Sequence, residues 1–404
     1  MKRKMLIVAV LLIVTFLGWR FVRPMQIFIV SPAFERPIDT FNAPSMFPIL
    51  RAEECATCHR DFYNEWKTTI HSQAWTDPYF QVDWKFDGSL QICKNCHIPL
   101  DRQQEYLVTG FNDDEKWEPI LKPNPDFDIK LQHEGITCNV CHLREGKILG
   151  VLNTTNTPHP VEQLNNANQI CVQCHVVSGK RWDTFFKMPP CGTVAEIKNG
   201  NGEPVPQTVE DMSVEYIASL QCVECHMPAV ERAIEEGGTV RTVRQHLWRG
   251  GHDPDMVKQG LTISFKQKTD IGKANITFVL SLTNTGAAHY LPTGTPDRHL
   301  TVQLRAFDKD SDVIKEKNYK LKRTVMWRPF IMDLWDTRLS HGEQRDYLLE
   351  IDNTSNVAFV DAEVRYHLLD EARRHRIDYE NQLPIQYTVF NQQLPVRLST
   401  HSQQ

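Results

Sequence analysis

No basic run longer than four residues occurs, and the 404-residue chain carries a formal net charge of −5 with 24% charged side chains. This surface lacks the electrostatic footprint of a nucleic-acid binder, so no nucleic-acid partner is expected. Cysteine is missing from the last third of the chain, which excludes a disulfide-stapled domain there. Small residues are missing where a cleaved leader would end: Trp19-Arg-Phe-Val-Arg-Pro follows the N-terminal apolar run.

That run, Met5–Trp19, follows Lys2, Arg3 and Lys4. As helix it spans about 22 Å at 1.5 Å per residue, short of a hydrocarbon core of about 30 Å. Phe21 and Val22 close most of the gap if Arg20 snorkels. The reading is an uncleaved single-pass anchor over residues 1–23, with its basic end inside and the body outside the bacterial inner membrane, in the periplasm. Residues 24–50, punctuated by proline, read as an irregular linker.

Ten of the 11 cysteines fall in five copies of one pentapeptide. They are Cys55-Ala-Thr-Cys58-His59, Cys93-Lys-Asn-Cys96-His97, Cys138-Asn-Val-Cys141-His142, Cys171-Val-Gln-Cys174-His175 and Cys222-Val-Glu-Cys225-His226. The spacing explains itself chemically. Thiols at i and i+3 share one side of a turn and can add to the two vinyl groups of one haem, and the following His meets the iron. Zinc sites draw their other ligands from a distant pair, disulfides have no use for the His, and iron–sulfur clusters take four thiolates. Five covalently attached haem c groups are therefore expected, outside the membrane, where haem is joined to such motifs in bacteria.

The motif starts are separated by 38, 45, 33 and 51 residues, which is no solenoid repeat. So little chain per cofactor predicts short helices and long loops over residues 51–260, with porphyrin forming much of the core. Each iron has a second axial position, for which histidines outside the motifs are candidates. His71 lies in a stretch, Asp61–Gln73, that reads as helix. On that helix it stands about 18 Å from His59 and must serve a neighbouring iron. His133 precedes Cys138 closely, and His159 sits in a rigid Pro-His-Pro loop. His246 and His252 flank Gly250-Gly251, whose lack of side chains permits close approach to a porphyrin. Cys191 is unpaired and reads as a structural or free thiol; Met188 and Met227 read as packing residues.

Tyr63, Trp66, Thr69 and His71 after the first motif, His226-Met-Pro, and His246 with Gly-Gly-His252 resemble the cytochrome c-554 type of multihaem cytochrome, kin to hydroxylamine oxidoreductase. The resemblance spans about residues 51–260 and implies packed haem pairs with bis-His ligation. Cys-x-x-Cys-Lys, present in the catalytic members, is absent here.

From residue 261 the pattern changes to period two. Leu261–Phe265, Asn275–Leu282, Leu300–Phe307, Asp346–Ile351, Ala362–Tyr366 and Ile385–Phe390 alternate like half-buried strands. The expected fold class is multidomain: a transmembrane helix, a mainly α and irregular multihaem domain, and an all-β immunoglobulin-like sandwich over 261–404. Within it, the turn-rich segment Asn284–Arg298 carries His289-Tyr-Leu-Pro-Thr-Gly, similar to a His…Pro-Thr-Gly segment of sandwich domains fused to multihaem cytochromes. The resemblance implies that His289 reaches across to a haem. His299, His341, His367, His375 and His401 read as surface or packing residues.

Three functions fit. The first is an electron carrier in which redox partner proteins meet a chain of bis-His haems. The second is an oxidoreductase with one open iron acting on a small nitrogen or sulfur compound. The third is a membrane-anchored quinol dehydrogenase, against which weigh the 35 residues between Trp19 and Cys55.

Overall fold

The computed structural model describes residues 2–23, 26–151, 157–176, 184–185, 191–199, 209–268, 275–352 and 356–397. The apolar run folds as α1 (Lys2–Val22), exposed along most of its length and long and apolar enough to cross a membrane.

The helices that follow have four to nine residues. They are α2 (Ala52–Ala56), α3 (Arg60–Trp66), α4 (Pro78–Phe86), α5 (Gln91–His97), α6 (Ile129–Gln132), α7 (Cys138–His142), α8 (Asn168–His175), α9 (Thr193–Asn199), α10 (Val214–Ala218), α11 (Cys222–His226), α12 (Pro254–Gly260) and α13 (Glu371–Arg376). Such helices are too short to hold themselves in water, so tertiary contacts must hold them. Small strand pairs lie among them: β1 (Tyr106–Phe111) with β2 (Pro119–Pro123), β3 (Leu143–Arg144) with β4 (Lys147–Gly150) and β5 (Val161–Gln163), and β7 (Ala229–Arg232) with β8 (Arg241–Arg244).

The expected helix Asp61–Gln73 stops at Trp66. The Trp66 indole donates to the Ile136 carbonyl at 2.7 Å, and the Thr68 and Thr69 hydroxyls turn back onto the carbonyls of Glu65 and Trp66. Hydroxyls bonded this way compete with the helix ladder. His71 therefore lies in a turn. The expected linker is irregular but not loose, because Val30, Phe34 and Leu50 are buried. Asn95 and Asn139, both inside motifs, donate to the carbonyls of Phe34 and Leu50 at 3.1 and 2.8 Å.

Beyond residue 260 run β9 (Leu261–Lys268), β10 (Asn275–Asn284), β11 (His299–Phe307), β12 (Val313–Met326), β13 (Ile331–Asp336), β14 (Gln344–Asp352), β15 (Phe359–His367) and β16 (Gln386–Pro395). One antiparallel sheet has the order β14-β10-β9. The other runs β16-β15-β11-β12-β13, with β6 (Thr184–Phe185) added in parallel at its edge. A single apolar core is shared by both, with Phe278, Leu280 and Leu282 of β10 against Leu300, Val302 and Leu304 of β11 and Val360 and Val364 of β15. β14 shows the alternation behind this: Tyr347, Leu349 and Ile351 are buried and the residues between them exposed.

Two seams join the sheets to the motif-bearing region. Arg373 of α13 donates to Asp83 of α4 at 2.9 Å, beside a cluster of Tyr79, Val82, Leu369, Ile377 and Tyr379. Arg338 and Glu196 of α9 form an ion pair at 2.6 Å, with both side chains buried.

Candidate haem-iron centres

Each motif lies on or beside a short helix, which sets its two thiols one turn apart. In four motifs the His closes the helix (α5, α7, α8 and α11); His59 instead caps α3. Backbone carbonyls then fix the rings. The Nδ1 atoms of His59, His97, His142 and His226 lie 3.0, 2.6, 2.7 and 2.7 Å from the carbonyls of Ile234, Ala74, Leu149 and Arg249. Nδ1–H donation to a carbonyl selects the tautomer whose Nε2 lone pair is free for a metal.

Four of the non-motif histidines stand opposite motif histidines. Ring centroids are 6.4 Å apart for His59 and His159, 5.9 Å for His142 and His246, 6.4 Å for His175 and His71, and 6.4 Å for His226 and His289. His246 and His289 are also held by Nδ1, at 3.0 Å from Arg244 O and 2.9 Å from Tyr290 O. The Nδ1 of His159 is buried without a partner. The fit to iron can be tested on these spacings. A metal–nitrogen bond of about 2.0 Å plus about 1.1 Å from nitrogen to ring centre, taken twice, gives about 6.2 Å. The four pairs fit a shared iron.

Burial favours the neutral form of five of these rings. It pushes His71 down to about 3 and His246 to about 4, with neighbouring histidine charges adding to the effect, and it lowers His142, His175 and His289. Trp248 packs between two of the pairs, 5.2 Å from His71 and 5.0 Å from His246, with its backbone at φ +41°. Gly135, at φ +58°, lies against the His71 turn; a Cβ there would stand 2.7 Å from the His71 carbonyl oxygen.

His97 differs. Burial lowers it to about 4, and Phe80 stacks on it at 3.6 Å, but no histidine ring stands opposite it among the described residues. His133 and His252, expected as iron ligands, face no motif histidine. His133 is exposed at the end of α6, where the short helix turns it outward. His252 places Nε2 3.3 Å from an Arg298 nitrogen, and its neighbour Gly251 makes room for Tyr366, since a Cβ there would meet the Tyr366 hydroxyl at 2.5 Å. Of the glycine pair expected to make room for a porphyrin, the Gly251 member serves contact with β15. Met188 lies outside the described residues, as does His401. Met227 caps α11.

The motifs also touch one another. The thiol of Cys55 neighbours that of Cys138, Cys96 neighbours Cys174, and Cys171 neighbours Cys222. Burial pushes the Cys93 thiol up to about 12, with the Cys191 thiol adding to it. Motif one therefore adjoins motif three, and motif four adjoins both two and five. Cys141 also lies near Cys174, which links three to four.

The fold matches that of the crystal structure of a penta-heme cytochrome c552 from Thermochromatium tepidum, with a TM-score of 0.60 and 20% identity over 86% of this chain and 98% of that one. A second structure, IrmA from Escherichia coli, aligns with 26% of this chain and 75% of its own at 16% identity, but its TM-score of 0.16 carries no argument. No family model and no curated protein matches the chain.

Proposed function

We propose that this chain is a membrane-anchored periplasmic penta-haem c-type cytochrome that conducts electrons. Cys55/Cys58, Cys93/Cys96, Cys138/Cys141, Cys171/Cys174 and Cys222/Cys225 each hold one haem c by thioether bonds. The carrying observation is the set of four facing imidazole pairs, whose spacing suits one iron each. The five-haem content named for the T. tepidum neighbour supports the count.

The prosthetic group supplies a one-electron couple at each site; the residues decide how it is used. Two imidazoles shared by one iron would exclude substrate from it and would need little rearrangement on electron gain. The Nδ1 hydrogen bonds raise imidazole basicity and favour the oxidised state. Motif contacts give a branched path, with the fourth motif as the junction between the third, second and fifth. The sheets, read as an immunoglobulin-like sandwich, lend His289 to the fifth site and offer a docking face to redox partner proteins. A quinol is the alternative electron donor, and reduction of the haems by a quinol in proteoliposomes distinguishes it.

Electron paramagnetic resonance of the oxidised protein tests this reading. Four low-spin, bis-imidazole centres are expected. Fewer than four, with all five haems present by mass, would sink it.

A second reading is favoured by His97, which has no histidine opposite it among the described residues. An iron there would keep a position for a small nitrogen or sulfur compound, making the protein an oxidoreductase. A high-spin signal that shifts with cyanide or nitric oxide and is altered in His97→Gly supports it; five low-spin signals exclude it.

A further inference from the structure

The loop between β12 and β13, Trp327–Phe330, lies far in sequence from α1, yet it is bound to the end of that helix. Arg328 donates to the carbonyls of Arg23 at 2.8 Å and Arg20 at 3.5 Å, and also to that of Phe21. These are carbonyls that a helix end leaves without an intrahelical partner, and the guanidinium also suits the negative end of the helix dipole. Buried Arg20 answers by donating to the Pro329 carbonyl at 2.8 Å, with its guanidinium 5.3 Å from the Phe330 ring. Phe330 in turn packs on Phe16 at 6.2 Å and on Phe185 of β6, itself exposed, at 6.4 Å.

Depth follows from these contacts. Phe16 precedes Arg20 by four residues, about 6 Å of helix rise. Whatever touches Phe16 shares its level. If α1 spans the bilayer, Phe330 cannot remain in water while it rests on Phe16. The composition fits that level: an aromatic ring at the acyl boundary, with Trp19, Trp327 and the arginines at the headgroups.

We propose that the Trp327–Phe330 loop is a second membrane contact, seated in the headgroup layer of the leaflet from which α1 emerges, with a phospholipid leaflet as its partner. The inference rests on reading α1 as an uncleaved anchor. Two attachments, helix and loop, fix the attitude of the body on the membrane, where one tethered helix would leave it free to swing.

The test uses the full-length haem-loaded protein in proteoliposomes whose phospholipids carry a photoactivatable acyl chain, followed by peptide mapping of the label. Label on both α1 and the 326–336 peptide is the expected result. Label on α1 alone overturns the loop contact and leaves the anchor standing. Label on neither removes the anchor reading and this inference with it. Phe330→Asp is expected to bring the loop label to background with α1 still labelled, while Phe330→Trp keeps it. Loop labelling that persists in Phe330→Asp means that the ring is not the inserted group and also overturns the proposal.

Discussion

Single side chains decide whether an iron is closed. Replacing His71, His159, His246 or His289 by Gly removes one of two facing imidazoles. Each change is expected to convert one low-spin iron to high-spin, read by electron paramagnetic resonance, with added imidazole restoring the original signal. His133→Gly and His252→Gly are expected to leave the spectrum unaltered, because neither ring faces a motif histidine. The five motifs can be read from the sequence because their spacing is local along the chain. The facing histidines were legible only in part. His133 sits as close to a motif as any candidate, but closeness along the chain does not say where a ring points. The opposing partners lie roughly a hundred residues away in three pairs, beyond what local pattern reports.

At the level of elements, Gly135 and the Arg338–Glu196 pair hold pieces that the irons would share. Gly135→Ala forces a Cβ against the His71 carbonyl and a strained φ, so a loss of about 2 kcal/mol is expected from chemical denaturation, with disturbance of the His71–His175 centre. Arg338→Met strands the Glu196 carboxylate in the seam and is expected to cost about 3–5 kcal/mol. Arg338 also stacks 4.9 Å from Tyr290, beside His289, so the spectrum of the fifth centre should shift in that variant. Strands with clean alternation were readable from sequence: β9, β10, β11, β14, β15 and β16 coincide with the period-two segments. β12 and β13 were not. The first half of β12 is Val-Ile-Lys-Glu-Lys-Asn and exposed, so burial leaves no alternation to read. The helix expected through Gln73 failed for a related reason, since the carbonyl that takes the Trp66 indole proton belongs to Ile136.

For the whole molecule, acid is a test of packing away from the motifs. His299 and His367 stack at 4.2 Å on β11 and β15, facing Lys320, Lys322, Arg365, Asp297, Asp370 and Glu371. Burial pushes both down to about 4. A lowered histidine leaves the unfolded chain binding the extra protons. Its stabilisation is therefore complete above pH 6.5, is lost as pH falls toward 4, and changes no further below that. About 2 kcal/mol is expected from the pair after screening at partly exposed His367, measured as the denaturation free energy of the holoprotein against pH. His367→Gln should flatten that slope.

The facing histidines have a consequence for how the chain comes together. An iron between His59 and His159, or between His142 and His246, ties a loop of roughly a hundred residues, and such a tie restricts the disordered chain most when the loop is long. Unlike a sulfur bridge, it opens to any strong competing ligand and closes again on dialysis. Such ties would lace the molecule with reversible knots. High imidazole should loosen its architecture without breaking a covalent bond, and the last lace, through His289, can be drawn only after the C-terminal sheets exist.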